Sequence, residues 1–261
     1  MPEARKANRV KLNQQIAYKG EIGKKREEFC KEYLKKKKEV LKAIETDQKA
    51  AVAKNNETIS CHDRCPNCCF LFMQANLQEC EAAVYYLYQD KKALSTFLKN
   101  YRQWRKKLKD NKDIFKECAS LWFDKTEAGA GPDKEKAFDE AAIRYQQQNI
   151  SCPFLHKDSC MVYELRPYLC AGTVASSPGE NCSPKSKKKP SMYKTQTPAL
   201  FDTSFYFGEI EGYVFTFFPM TVYDILNDGY RTIAKMSGIA ELEEKAMAQP
   251  EVKEIVEASS K

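Results

Sequence analysis

Apolar residues recur at three- and four-residue steps over most of the chain, the signature of amphipathic helices. Phe29, Tyr33, Leu41 and Ile44 lie close to one such stripe, which the run Lys35-Lys36-Lys37-Lys38 interrupts with charge. A second stripe, Phe70, Met73, Leu77, Cys80, Val84 and Leu87, predicts a helix opening near Pro66. Proline suits a first helical turn and pushes the residue before it towards extended geometry. After an interruption at Asp90 to Ser95, Leu94, Phe97, Leu98, Tyr101, Trp104 and Leu108 continue the period to about Lys109. Asp113 to Trp122 predicts a further short helix, and Asp133 is placed to cap another running to about Gln148.

The pattern changes near the C-terminus. Phe205-Tyr206-Phe207 and Tyr213-Val214-Phe215-Thr216-Phe217 flank Gly208-Glu209-Ile210-Glu211-Gly212, and aromatic enrichment around a glycine-bounded turn predicts a β-hairpin. Thr221-x-x-Asp224 resembles a capping box, opening a helix through Val222, Ile225, Leu226 and Ile233 that Gly238 ends. A last helical segment runs towards Ser259. Together these elements predict a mainly α fold, a helical body with a cysteine-rich metal-binding loop insert and a small β-hairpin. Three regions are expected: a basic helical N-terminal arm over 1–54, a cysteine-cluster metal-binding domain over 55–185, and C-terminal hairpin and helices over 186–261, packed on the same body.

Charge sharpens this division. Residues 1–54 contain 16 Lys or Arg against 8 Asp or Glu, whereas the rest of the chain carries 27 against 28. The expected arm is a solvated helix with one narrow face on the body; an acidic partner or nucleic acid is the alternative contact, since clustered lysine attracts phosphate without reading sequence. A protein partner is left open. No apolar run approaches the roughly 18 to 20 residues of a membrane span, and the N-terminus lacks an apolar signal-peptide centre. A cytoplasmic protein without membrane contact is expected.

The chemistry is concentrated in cysteine, of which the chain has 11. One block reads Cys61-His62-Asp63-Arg64-Cys65-Pro66-Asn67-Cys68-Cys69; the other runs from Cys152-Pro153-Phe154-Leu155 through Cys160 to Arg166-Pro167-Tyr168-Leu169-Cys170, with Cys182 behind. In a reducing compartment, soft ligands this dense are metal or cluster donors rather than disulfides. Cys68 and Cys69, placed in the first turn of the Pro66 helix, would meet unpaired backbone amides that favour thiolate. Adjacent side chains diverge, so both serving one mononuclear ion is disfavoured and a polynuclear site is preferred. Cys30, Cys80 and Cys118 fall on apolar helical faces and are assigned to packing, as are Tyr85, Tyr86 and Tyr88. His62 and His156 are discounted as ligands because the thiols already exceed four donors. Arg166 is a candidate hydrogen-bond donor to cluster sulfur or nearby carbonyls. Gly129-x-Gly131 follows no convincing strand and lacks a further glycine, so a dinucleotide loop is not indicated. Residues 176–200 predict an exposed mobile loop.

The pattern Cys-x3-Cys-x2-Cys-Cys, then Cys-Pro-Phe-Leu, Cys-x2-Tyr-Glu-x-Arg-Pro-x2-Cys and one more cysteine resembles the zinc- or iron-chelating YkgJ-like cysteine-cluster family. The resemblance covers residues 58–185 and is carried by Cys61, Cys65, Cys68, Cys69, Cys152, Cys160, Cys170 and Cys182. Where that family commonly has an arginine after the Arg-Pro cysteine, this chain has Ala171. The resemblance implies metal or cluster binding. Three classes follow in order: a protein holding an iron-sulfur cluster, or zinc or iron ions, for redox, sensing or metal handling; an S-adenosylmethionine-dependent protein lysine methylase-like enzyme; and an interaction module with structural zinc. No catalytic residue is indicated, since both histidines sit in cysteine loops and no paired carboxylates stand out.

Overall fold

The computed structural model describes residues 2–62, 64–126, 131–188, 190–195, 204–205, 208–209 and 215–259. The chain is mainly helical with small antiparallel sheets. Its helices are α1 (Pro2–Ile16), α2 (Gly20–Lys54), α3 (Leu77–Gln89), α4 (Lys91–Asp110), α5 (Lys112–Thr126), α6 (Pro132–Gln147), α7 (Tyr168–Ala171), α8 (Phe218–Asp228), α9 (Tyr230–Ser237), α10 (Leu242–Met247) and α11 (Pro250–Ser259). Among the described residues no helix is long and apolar enough to cross a membrane.

Helix α3 lies at the centre. Every residue from Leu77 to Val84 is buried, and the helix packs against α2, α4, α8 and α9. It does not begin at Pro66. Asn67–Phe70 forms a single 3-10 turn, the strand β1 (Gln74–Asn76) follows, and α3 opens only at Leu77. There Asn76 accepts from the Glu79 amide while the Glu79 carboxylate accepts from the Asn76 amide, a reciprocal cap that fixes the start. The apolar period from Phe70 therefore crosses a turn and a strand, which a helical reading of the sequence merges.

The predicted C-terminal hairpin is rearranged. Leu155–His156 (β2) pairs with Ser159–Cys160 (β3), and Thr173–Ala175 (β4) pairs with Met192–Lys194 (β5), so part of the expected loop is strand. Ser204–Phe205 (β6) pairs with Gly208–Glu209 (β7), while Phe215–Phe217 (β8) runs antiparallel to β1. Residues 206–207 and 210–214 of the expected hairpin, like Gly129 and Ala130, lie outside the described residues. Phe72 joins this sheet to the helices, with ring centroids 5.0 Å from Phe217, 5.4 Å from Phe115 and 5.4 Å from Tyr145.

Three helix boundaries also differ from expectation. Thr221 is buried inside α8, whose first turn instead carries Pro219. Gly229, at φ 57° and ψ −128°, separates α8 from α9 in a conformation that glycine alone adopts readily; Gly238 ends α9 in the left-handed region. Gly131, rather than Asp133, occupies the cap of α6, with Pro132 opening the helix.

The basic segment lays one narrow face against the core and leaves the rest of its surface solvated. Helix α2 buries Arg26, Cys30, Tyr33, Lys37, Ile44, Gln48 and Val52, spaced by three, four or seven residues, so Lys37 continues the stripe its neighbours Lys35, Lys36 and Lys38 leave. Opposite lie two buried carboxylates of α3. Arg26 embraces Glu81 with both Nε and Nη2, the latter at 3.0 Å, and Lys37 Nζ meets Glu79 Oε1 at 2.6 Å. Arg26 also sits 5.0 Å from the Tyr230 ring centroid and 5.4 Å from that of Tyr18. Cys30, Cys80 and Cys118 are all fully buried in the helical packing.

Removing one partner of a buried pair leaves an uncompensated charge. Arg26→Ala should therefore lower stability by about 3 to 5 kcal/mol in urea unfolding. Lys25→Ala, which removes only an exposed bridge to Glu21 one turn away, should change it by less than about 0.5 kcal/mol. Equal effects would show that the Arg26 pair carries no special weight.

Candidate functional site

The eight cysteines of the two sequence blocks line one cavity of about 170 Å³. A single water needs roughly 15 Å³ by the same kind of measure, so the space admits a group of several atoms. Each thiol is brought there by a separate piece of local structure. Cys61 and Cys65 follow the end of α2, and Cys68 and Cys69 ride the 3-10 turn, whose closure includes Cys69 N donating to Pro66 O at 2.9 Å. This short turn lacks the aligned dipoles of the long helix expected at Pro66.

The second block meets the first directly: Cys152 N donates to Cys69 O at 2.6 Å. Between β2 and β3, Lys157 and Asp158 have φ 50° and 62°, as in a type I′ hairpin turn, which carries Cys160 back towards Cys152. Phe154 anchors this hairpin to the core, with ring centroids 4.5 Å from Phe97 and 4.8 Å from Phe218. From α4, Asn100 Nδ2 donates at 3.1 Å to the carbonyls of Pro153 and Leu155. Cys170 lies in α7. Cys182 ends the 3-10 turn Gly179–Cys182, held by Asn67 Nδ2 on Gly179 O and Gln146 Nε2 on Cys182 O, both at 2.8 Å.

Burial of the eight is uneven: Cys69 and Cys152 are buried, Cys65, Cys160, Cys170 and Cys182 half-buried, and Cys61 and Cys68 exposed. Burial pushes the Cys152 and Cys170 thiols well above the ordinary value and Cys160 up to about 11, with neighbouring thiols adding to the effect. Cys61, an exposed residue, is raised by desolvation of its thiol on the cavity side, partly offset by the Ala175 amide that donates to its Sγ at 3.3 Å. Cys68 moves the other way. A hydrogen bond from Cys69 draws its thiol below the ordinary range, assisted by the Arg166 guanidinium, while the same bond raises Cys69. Arg166 lines the cavity, donates through Nη1 to Tyr163 O at 2.8 Å, and holds its guanidinium 4.0 Å from the Tyr163 ring centroid.

Among the described residues, no three His, Cys, Asp or Glu side chains are grouped so that they could hold one metal ion. The thiols are distributed around the walls rather than gathered in a tetrahedron. Their number, softness and shared cavity nevertheless fit a thiolate-bound group, and a cation is what would reverse the burial penalty on so many sulfurs. His62 lines the cavity, whereas His156 is exposed in β2 and does not. Sequence reasoning missed Gln146 and Asn67, which position Cys182; single amides in polar stretches carry no pattern. It also missed the link from α3 to α7 through Glu79.

Two outcomes follow from these shifts. Alkylation of metal-free protein should modify Cys68 well before Cys152, with its half-maximal pH below the ~8.5 of a free thiol; mass spectrometry of timed samples reads the order. For Cys152, Cys160 and Cys170 the folded thiol is the weaker acid, so the unfolded chain binds fewer protons above pH ~8.5. Stability should then fall as pH rises from about 8.5 towards 11, by up to about 1.4 kcal/mol per pH unit per thiol, as thermal unfolding would record. No protein-family model matches the chain, and neither a curated protein nor a solved structure matches it.

Proposed function

We propose that the chain is a metal-binding protein that holds an iron-sulfur cluster, or zinc or iron ions, in redox, sensing or metal-handling work. The observation that carries this reading is the convergence of eight cysteines, from blocks 83 positions apart between Cys69 and Cys152, on one cavity. The donors are Cys61, Cys65, Cys68, Cys69, Cys152, Cys160, Cys170 and Cys182. Eight thiols exceed the four of a tetrahedral ion, and adjacent Cys68 and Cys69 both line the wall, which favours a polynuclear group. The resemblance of the cysteine pattern to the YkgJ-like family supports the same reading.

A thiolate-held cluster supplies one-electron transfer, and a thiolate-held zinc supplies structural cross-linking or Lewis acidity. The chain's own residues supply the setting. Arg166 brings a fixed positive charge to Cys68 and Cys160, and the Ala175 amide donates to Cys61 Sγ, the kind of contact that tunes sulfur donors. Phe154, Leu71, Met73, Val162 and Phe218 form apolar wall that restricts water.

Protein purified without oxygen should contain bound metal, and acid-labile sulfide with broad visible absorption if the group is a cluster. Cys68→Ser together with Cys160→Ser should reduce metal per chain to less than about half, because one substitution falls in each block. Metal-free wild-type protein, or unchanged stoichiometry in the double variant, would overturn the shared site.

A further inference from the structure

Helix α7, which carries Cys170, is only four residues long and cannot hold itself in place by its own backbone bonds. It is suspended from α2 and α3 by buried polar contacts. Glu79 Oε1 accepts from Tyr168 N at 2.7 Å and from Lys37 Nζ at 2.6 Å, while Glu79 Oε2 accepts from Asn76 N at 3.0 Å. The Lys37 ammonium stands 4.3 Å from the Tyr168 ring centroid. On the other side of Cys170, Gln48 Nε2 donates to Ala171 O at 2.8 Å. Glu79 and Lys37 are each 1% exposed, so water does not substitute for either.

We infer that Glu79, set by Lys37, is a positioning residue that holds Cys170 at the cavity wall. The inference rests on the assignment of Cys170 to the donor set proposed above. The three groups aimed at Glu79 are all donors, and only an ionised carboxylate accepts on both oxygens at once. A glutamine of the same shape turns an amide N–H2 either against Asn76 N–H or against Tyr168 N–H and the Lys37 ammonium, so at least one donor is orphaned. The other thiols are placed by contacts that do not involve Glu79, among them Cys152 N on Cys69 O and Gln146 on Cys182 O. Among the cavity segments, the direct hydrogen bond of this carboxylate is to α7, so Cys170 is the thiol it positions.

The test uses metal-free full-length protein and maleimide alkylation, resolved by mass spectrometry at Cys170 and at Cys118. Cys118 is fully buried in α5 and reports global opening. Glu79→Gln should speed Cys170 modification about tenfold or more and leave Cys118 unchanged, as local opening requires. Because that variant strands the Lys37 ammonium, Lys37→Met with Glu79→Gln is measured beside it, leaving no lone charge. Release of Cys170 with Cys118 protected in either variant upholds the role. An unchanged Cys170 in both, or release only together with Cys118, overturns it. Metal content of the wild type is read separately; a wild type without metal overturns the proposed function and leaves the alkylation result to stand on its own.

Discussion

Two carboxylates buried on one helix constrain the rest of the molecule. Glu79 and Glu81 lie on α3, which is enclosed on nearly every side, and each ionised group needs a partner in a place water does not reach. Helix α2 provides both, Lys37 for Glu79 and Arg26 for Glu81. These pairs set the register of the two helices, because a slide by one turn would leave two cations and two anions unmatched. Breaking either pair strands a buried charge, whatever the net stabilisation of the intact pair. The pairs also explain how a helix so rich in lysine and arginine can lay a face containing two cations against the core.

The same constraint reaches the cysteine cavity. Glu79 is at once the capping partner of Asn76, the counter-ion of Lys37 and the acceptor for the Tyr168 amide. Its cap decides where α3 begins. Its bond to Tyr168 decides where α7 carries Cys170. Helix packing and the placement of Cys170 therefore share one side chain.

Within the cavity, the physical tension is between gathering sulfurs and ionising them. Burial raises Cys152, Cys160 and Cys170, each thiolate would oppose its neighbours, and Cys68 alone is drawn clearly downward, by Cys69 and Arg166. On the proposed reading, a bound cation would offset that penalty. The open distribution of the sulfurs and their crowding into a single cavity are two aspects of that balance.

Local pattern was sufficient for the helical character of the chain, for a break near Asp90, though it is that one residue and not Asp90 to Ser95, for the stop at Gly238 and for the two cysteine blocks that line one cavity, because period, turn chemistry and residue type are written in neighbouring positions. Non-local pairing was not. The apolar period from Phe70 to Leu87 looked like one helix, yet Gln74–Asn76 is drawn into a strand by Phe215–Phe217, about 140 positions away, and α3 waits for the Asn76 cap. Lys37 looked like one of four solvated lysines, and only the approach of Glu79 from another helix turned it inward. Thus the sequence by itself determined the kinds of elements and the chemistry available to them. The tertiary structure decided their ends, their partners and which charges are buried, since each depends on a contact with a distant part of the chain.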